Sequence, residues 1–350
     1  MNDHLDKSTS VSVELTETGV KAKARSRFVA AIDRLGGNFV ELANAPIERR
    51  ISRQRAVSEG ESKLIQAVTD FGIEKLNRDP EFAQRTAEKY FERIFEKQNN
   101  KDRVLLEALE DLRHAPPDDE LAAAGEERLS DEFLSRFESY AEGASTEQLR
   151  QKWGRVLSSE VRKPGRFSAK VLRTIDEIDS DAAVLFEKLA AGTIQDCLAK
   201  CLVGKLPFSE LSQLIMAGLI LDPGITGHVL QFSSEKTASG QEVWVLLSPE
   251  QGVSISKSIR IPPDNPSETA PLVSSNENRP AIPVYILTDA GKAISTIFAK
   301  PKPTALSRYI ALLRSVFPTV EVIEYVRLQG TDQFAPITPA PTIKMNISFS

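Results

Sequence analysis

Few side chains in this sequence could do chemistry, and they are scattered. Two cysteines, Cys197 and Cys201, stand four residues apart in the apolar run CLAKCLV, a spacing that puts both thiols on one face if the run is a helix. A zinc site would need further thiolate or imidazole ligands, and His4, His114 and His228 lie far apart in the sequence. The pair therefore reads as two small core residues, the ordinary packing role of free cysteine. Asp118-Asp119-Glu120 follows two prolines and reads as a solvated cap and linker. Asp176, Glu177, Asp179 and Asp181 surround a helix junction, where capping accounts for them better than divalent-metal binding. No phosphate-binding loop, dinucleotide fingerprint or Gly-x-Ser-x-Gly elbow occurs, and Gly36-Gly37 lacks the lysine or third glycine of such loops. No catalytic residue, metal ligand, cofactor or small-molecule substrate is expected.

Arginine supplies the remaining chemistry. Between Val20 and Ile65 ten basic residues face five acidic ones, and Arg49, Arg50, Arg53 and Arg55 fall in one helical stretch. Glu48, Glu59 and Glu61 can offset them as a solvated face, or the cluster can contact phosphate or an acidic partner. The whole chain carries a net charge of −5, so any case for nucleic acid must rest on such a patch.

The elements that would position these residues are mostly helical. Residues 1–18 read as a disordered tail, and 19–113 as a long helical N-terminal region. Within it Phe28, Ile32, Leu35, Phe39 and Leu42 form one apolar stripe. Asp79-Pro80 starts a helix whose packing residues are Phe82, Tyr90, Phe91, Ile94 and Phe95, with a separate turn possible after Asn99-Asn100. Residues 114–128 form a linker, and 129–204 a compact helical core. There Leu149, Trp153, Val156, Leu157 and Val161 share a face, Lys163-Pro164-Gly165 stops the helix, and Ser168 caps the next. Glu160, beside that turn, is expected to fix it.

Residues 205–328 form an α+β module. FSELSQLIMAGLI ends at Gly218, HVLQFSS and EVWVLLS meet at a Ser239-Gly240 hairpin, and AIPVYILT is a later strand. Residues 261–280 read as a Pro/Ser-rich loop, the segment around TVEVIEYVRL as an edge strand, and 329–350 as an extended or disordered tail. The fold class is thus mostly α with a small α+β C-terminal module: elongated N-terminal helices, a compact helical core and a winged-helix-like module. Low cysteine use and the lack of an apolar run of about 18 residues fit a cytoplasmic protein without membrane contact.

Trp153, Glu160, Pro164, Gly165, Phe167, Ser168, Leu172 and Phe186 stand in the order of a signature that resembles an uncharacterised bacterial family, domain of unknown function 2806. The pattern continues through Leu211, Gly218, Leu219, Ile220, Leu287, Thr288 and Gly291, so the resemblance runs from about Val20 to Phe298. The chain is also similar, more distantly, to abortive-infection proteins of the alpha type. The resemblance implies no reaction and at most a role in conflict with phage.

Helix, Gly-Leu-Ile, hairpin and Leu-Thr-x-x-Gly is also the order of many winged-helix modules. Groove-reading helices need basic and hydrogen-bonding side chains, and FSELSQLIMAG has no lysine or arginine. Eight basic against ten acidic residues between Gln195 and Lys300 likewise oppose a phosphate footprint. The expected function is a non-enzymatic protein-interaction or scaffold protein, through a protein partner or self-association. The alternative is a nucleic-acid-binding regulator using the arginine-rich helix, the module, or both.

Overall fold

A computed structural model of the chain describes residues 22–36, 63, 80–116, 128–237, 240–261, 268–275, 279–298, 303–328, 331 and 333–337. The chain forms two compact units, Met1–Leu172 and Arg173–Ser350.

In the first unit, helix α1 (Ala22–Leu35) buries Ala24, Phe28, Ala31, Ile32 and Leu35, the three- and four-residue steps of a single apolar face. Helix α2 (Pro80–His114) is 35 residues long and runs unbroken through Asn99-Asn100. The reason is where Asn100 sends its amide: Nδ2 donates to the Glu142 carbonyl at 2.9 Å and Oδ1 accepts from Arg150 at 2.9 Å. A side chain occupied in this way no longer competes for its own backbone. The packing residues also differ from expectation. Tyr90 and Ile94 are exposed and Phe91 and Phe95 half-buried, whereas Val104, Leu105, Ala108, Leu109 and Leu112 are buried. The Phe82 side chain lies outside the described ones.

Ser130 caps α3 (Asp131–Glu142) and Thr146 caps α4 (Glu147–Arg162), each hydroxyl accepting from the backbone N–H three residues on. Helix α4 packs on α2, and α1 packs on both. The expected linker at 114–128 therefore does not separate an N-terminal region from the helical core, because α2 contributes to that core.

Helix α5 (Ala169–Glu177) contains the division between the units. The second unit continues with α6 (Ser180–Ala190), β1 (Thr193–Ile194), β2 (Cys197–Ala199), α7 (Lys200–Val203) and α8 (Phe208–Met216). Then follow β3 (His228–Gln231), β4 (Ser233–Lys236), β5 (Glu242–Leu247), β6 (Gln251–Ser256), β7 (Val273–Ser274) and β8 (Pro280–Ile286). Helices α9 (Asp289–Ser295) and α10 (Ala305–Val316) and strands β9 (Val322–Arg327) and β10 (Phe334–Pro336) complete it.

The described strands make two five-stranded antiparallel sheets. One has the order β1-β2-β8-β3 with β7 also on β8; the other is β10-β9-β6-β5-β4. Leu306, Tyr309, Ile310 and Leu313 of α10 share one core with Ile282 and Val284 of the first sheet and Leu246, Val253 and Ile255 of the second. The C-terminal part is thus richer in β structure than a small module. A boundary at 204 would cut a sheet, because β2 pairs with β8.

Three strand readings change. HVLQFSS is not one strand: it divides at Phe232, which is buried in the shared core and donates its N–H to Pro280. β6 joins where no strand is expected. β9 is internal, because β10, inside the supposed tail, pairs along its outer side. Among the described residues no helix is long and apolar enough to cross a membrane.

Candidate functional site

The signature residues of the first unit converge on α4. Trp153, 1% exposed, stacks on Tyr140 with ring centroids 4.7 Å apart and meets Phe137 edge-on at 6.0 Å. Its neighbour Gly154 lets α2 and α4 touch: a Cβ there would lie 2.5 Å from the Glu107 Cβ and 3.0 Å from the Ala108 nitrogen. Two turns on, the Arg162 guanidinium donates to the Asp111 carboxylate at 2.7 Å and to the carbonyls of Asp111 and Ala115 at 2.6 and 2.9 Å. Arg162 thus adds a second donor to the Asp111 carbonyl, which also accepts from Ala115 N–H at 3.0 Å, and satisfies the Ala115 carbonyl just beyond the helix from α4.

Glu160 is 3% exposed yet fully hydrogen-bonded. Oε1 accepts from Gly165 N–H at 2.6 Å, and Oε2 from Arg166 and Phe167 N–H at 3.0 and 3.2 Å. The Lys163-Pro164-Gly165 turn, with Gly165 at φ +86°, thus wraps three consecutive amides around one carboxylate. Burial pushes the Glu160 carboxyl above its ordinary range, and the three amides pull it back. Arg27 of α1, wholly buried, donates to the Val161 carbonyl at 3.1 Å. Desolvation lowers its pKa, and the Glu160 charge opposes that. Phe167 and Leu172 are buried, and Ser168 accepts from Val171 N–H at 3.4 Å as the α5 cap. The arrangement is architectural: the carboxylate is buried and holds three backbone amides of the turn.

In the second unit Phe186 is buried and meets Phe298 at 6.1 Å. Gly218 takes the left-handed conformation, φ +70°, at the end of α8. Thr288 caps α9, and the α9 backbone approaches Leu219 so closely that a Cβ on Gly291 would stand 2.0 Å from its carbonyl oxygen. Gly-Leu-Ile and Leu-Thr-x-x-Gly are therefore two halves of one joint.

The other candidate residues are not brought together. Cys197 lies in β2 and Cys201 in α7, so they do not share a helical face; the reason is that CLA pairs with β8. Both thiols are free and half-buried, and burial pushes each up to about 11. Asp179 is the α6 cap, accepting from Ala182 N–H at 2.7 Å. His114 and His228 each bond a nearby backbone carbonyl. Among the described residues no three His, Cys, Asp or Glu side chains form a metal-binding group. Arg49, Arg50, Arg53, Arg55, His4 and Asp118 to Glu120 lie outside the described residues.

Two features carry no sign in the sequence. Phe208 and Met216 of α8 are 84% and 87% exposed. Lys200, by contrast, is nine-tenths buried, a position that a lone lysine within an apolar run does not announce.

Residues 84–200 match the model of a family described as Protein of unknown function (DUF2806). No curated protein and no solved structure matches the chain. The matched stretch contains Trp153, Glu160, Pro164, Gly165, Phe167, Ser168, Leu172 and Phe186, whereas Gly218, Thr288 and Gly291 fall beyond it. The match runs from within α2 to the first residue of α7, and that stretch is what the chain shares with this family of unknown function.

Proposed function

We propose that this is a non-catalytic protein-interaction protein of the bacterial cytoplasm, with α8 as a contact helix. The observation that carries the reading is the pairing of exposure with composition. Phe208 and Met216 project from the two ends of α8, and the helix has no lysine or arginine. The strand order β2-β8-β3, with α6 before β2 and α7 and α8 between β2 and β3, is consistent with a winged-helix arrangement. In such modules the second of the two intervening helices enters the DNA groove. α8 would occupy that place, offering an aromatic ring and a thioether where phosphate and base contacts require cations and amides. An apolar surface of this kind suits a protein partner or a second copy. The resemblance of the sequence signature to alpha-type abortive-infection proteins is the ground on which the proposal extends to phage defence.

A second reading, a nucleic-acid-binding regulator, draws on the same strand order and on Arg49, Arg50, Arg53 and Arg55. Titrating the full chain against labelled duplex and single-stranded DNA at two salt concentrations separates the two. The interaction reading expects no binding at micromolar protein and low salt. Tight binding with a steep salt slope would replace it with the regulator. Sedimentation of the wild type beside a Phe208→Ser, Met216→Ser variant then distinguishes self-association, which the variant loses, from a heterologous partner.

A further inference from the structure

The outer N–H and C=O groups of a sheet's last strand invite another strand, unless the edge is blunted by charge, proline or shortness. Most of the described edges here are blunted. β1 and β7 have two residues each, β4 carries Glu235 and Lys236, and β10 ends in Pro336. β3 is the exception. HVLQ contains no lysine, arginine, carboxylate or proline, and among the described strands it stands outermost in its sheet.

The register fixes which groups of β3 point outward. β3 pairs antiparallel with β8 as His228↔Val284, Val229↔Pro283, Leu230↔Ile282 and Gln231↔Ala281, and just beyond it Phe232 N–H donates to the Pro280 carbonyl at 2.9 Å. Bonded and unbonded positions alternate along such a pair, so His228, Leu230 and Phe232 turn their backbone groups to β8. Val229 and Gln231 turn theirs away. Pro283, which has no N–H to donate, stands opposite Val229, where the alternation places no bond. Both outward residues are exposed, Val229 at 43%. Leu230, between them, is only half-buried against the core that the two sheets share.

Two outward residues flanking a leucine are self-complementary. If a second β3 runs antiparallel with leucine facing leucine, each Val229 meets the Gln231 of the other copy, and four N–H···O=C bonds close the edge. The two-fold axis passes between the leucines, which take the closer-spaced, unbonded position and bury their half-exposed side chains on each other. HVLQ carries no charge for its copy to repel. A foreign strand would have to bring its own apolar residue to that leucine, whereas the copy brings one by symmetry.

We propose that β3 is a homodimerisation edge, at which two copies of this chain join antiparallel about Leu230 into one continuous sheet. The edge uses the backbone of β3 and nothing of α8, so it goes beyond the α8 surface and either can fail without the other. Four bonds and one apolar pair make a modest interface, so dimers are expected at micromolar rather than nanomolar protein.

Sedimentation of the full chain from about 1 to about 100 µM tests this, with a dimer fraction that rises with concentration. Val229→Pro deletes an outward N–H that makes no bond to β8. It should keep the melting temperature near that of wild type while weakening dimerisation at least about tenfold. Phe208→Ser, Met216→Ser should leave dimerisation unchanged. Leu230→Cys under a mild oxidant should give a disulfide-linked dimer, the link joining position 230 of the two copies by mass. A wild type that is monomeric throughout the range overturns the proposal, as does a dimer that Val229→Pro leaves intact. A dimer lost in the α8 double variant but kept in Val229→Pro would move the interface to α8. Should Val229→Pro fail to fold, the cross-link decides, and a dimer that does not link through position 230 overturns the edge.

Discussion

The Thr288 hydroxyl donates to the Gly218 carbonyl at 2.5 Å, across 70 residues of sequence, while accepting from Gly291 N–H at 3.0 Å. One side chain thereby caps α9 and ties it to the end of α8. The backbone repeats the tie, Thr288 N–H donating to Leu219 at 3.0 Å.

Thr288→Ala should therefore cost about 2 kcal/mol, a helix cap of about 1 kcal/mol plus one further hydrogen bond of similar size. Thr288→Ser keeps the hydroxyl and should recover most of the loss. Urea unfolding of the three proteins measures both. A loss below about 0.5 kcal/mol for alanine would show that the backbone contacts alone hold the joint.

Trp153→Ala removes a buried indole stacked on Tyr140 and edge-on to Phe137, with an expected cost of about 3–5 kcal/mol. Gly154→Ala should be destabilising by about 1–3 kcal/mol although it adds only a methyl group. The added Cβ meets the Glu107 Cβ and the Ala108 backbone, neither of which is the end of a flexible side chain. Thermal and denaturant unfolding check both, and a neutral Gly154→Ala would mean that α2 and α4 separate at little cost.

Features that depend on a few consecutive residues are legible in this sequence. Ser130, Ser168 and Thr288 announce the helix starts they cap, and the sequence narrows the other two to Ser145 or Thr146 and Asp179 or Ser180, of which Thr146 and Asp179 cap, because a cap bonds only two or three residues ahead. The Lys163-Pro164-Gly165 stop is legible for the same reason. What fails is what distant residues decide. Cys197 belongs to a strand because Ile286 pairs with it, and CLAKCLV contains no sign of that partner. QGVSIS lacks the bulky alternation of a strand, yet Ser254 is buried and within 3.3 Å of the Tyr325 hydroxyl. Asn100 looks like a breaker until Glu142 and Arg150 arrive to bond it.

The signature divides along the same line. Trp153, Glu160 and Gly165 can be singled out by type, but nothing in the sequence joins Glu160 to Arg27, or Arg162 to the end of α2. Lys200 is hidden because its environment comes from Tyr285, Gly227 and Glu268, each far along the chain.

Glu160 gives a signed pH dependence. Burial raises its carboxyl above the ordinary value of 4.5, so the folded pKa exceeds the unfolded one. Its contribution to stability is then complete below about pH 4.5 and is lost as the pH rises through the raised folded value. Glu160→Gln abolishes the titration and leaves one acceptor atom for three amides, an expected loss of about 1–3 kcal/mol at pH 7. The gap between wild type and variant should widen as the pH falls from 7 towards 4.5. Denaturant midpoints across that range measure it. A gap that narrows would mean that the amides of Gly165, Arg166 and Phe167 outweigh burial and hold the carboxyl below its ordinary range.

Cys197 and Cys201 should be almost inert while the protein is folded. Burial carries both thiols from an ordinary 9.0 up to about 11. At pH 8 the reactive thiolate is then about 100-fold scarcer than in the unfolded chain. A disulfide-exchange reagent should accordingly modify native protein at least about 100-fold more slowly than denatured protein, and the reaction should quicken as denaturant opens the fold. Because each folded pKa is raised, the thiols also withdraw stability as the pH climbs from 9.0 towards 11. Rapid native labelling of either cysteine would mean that β2 or α7 opens without global unfolding, and the site of modification, identified by mass, would say which of the two gives way first.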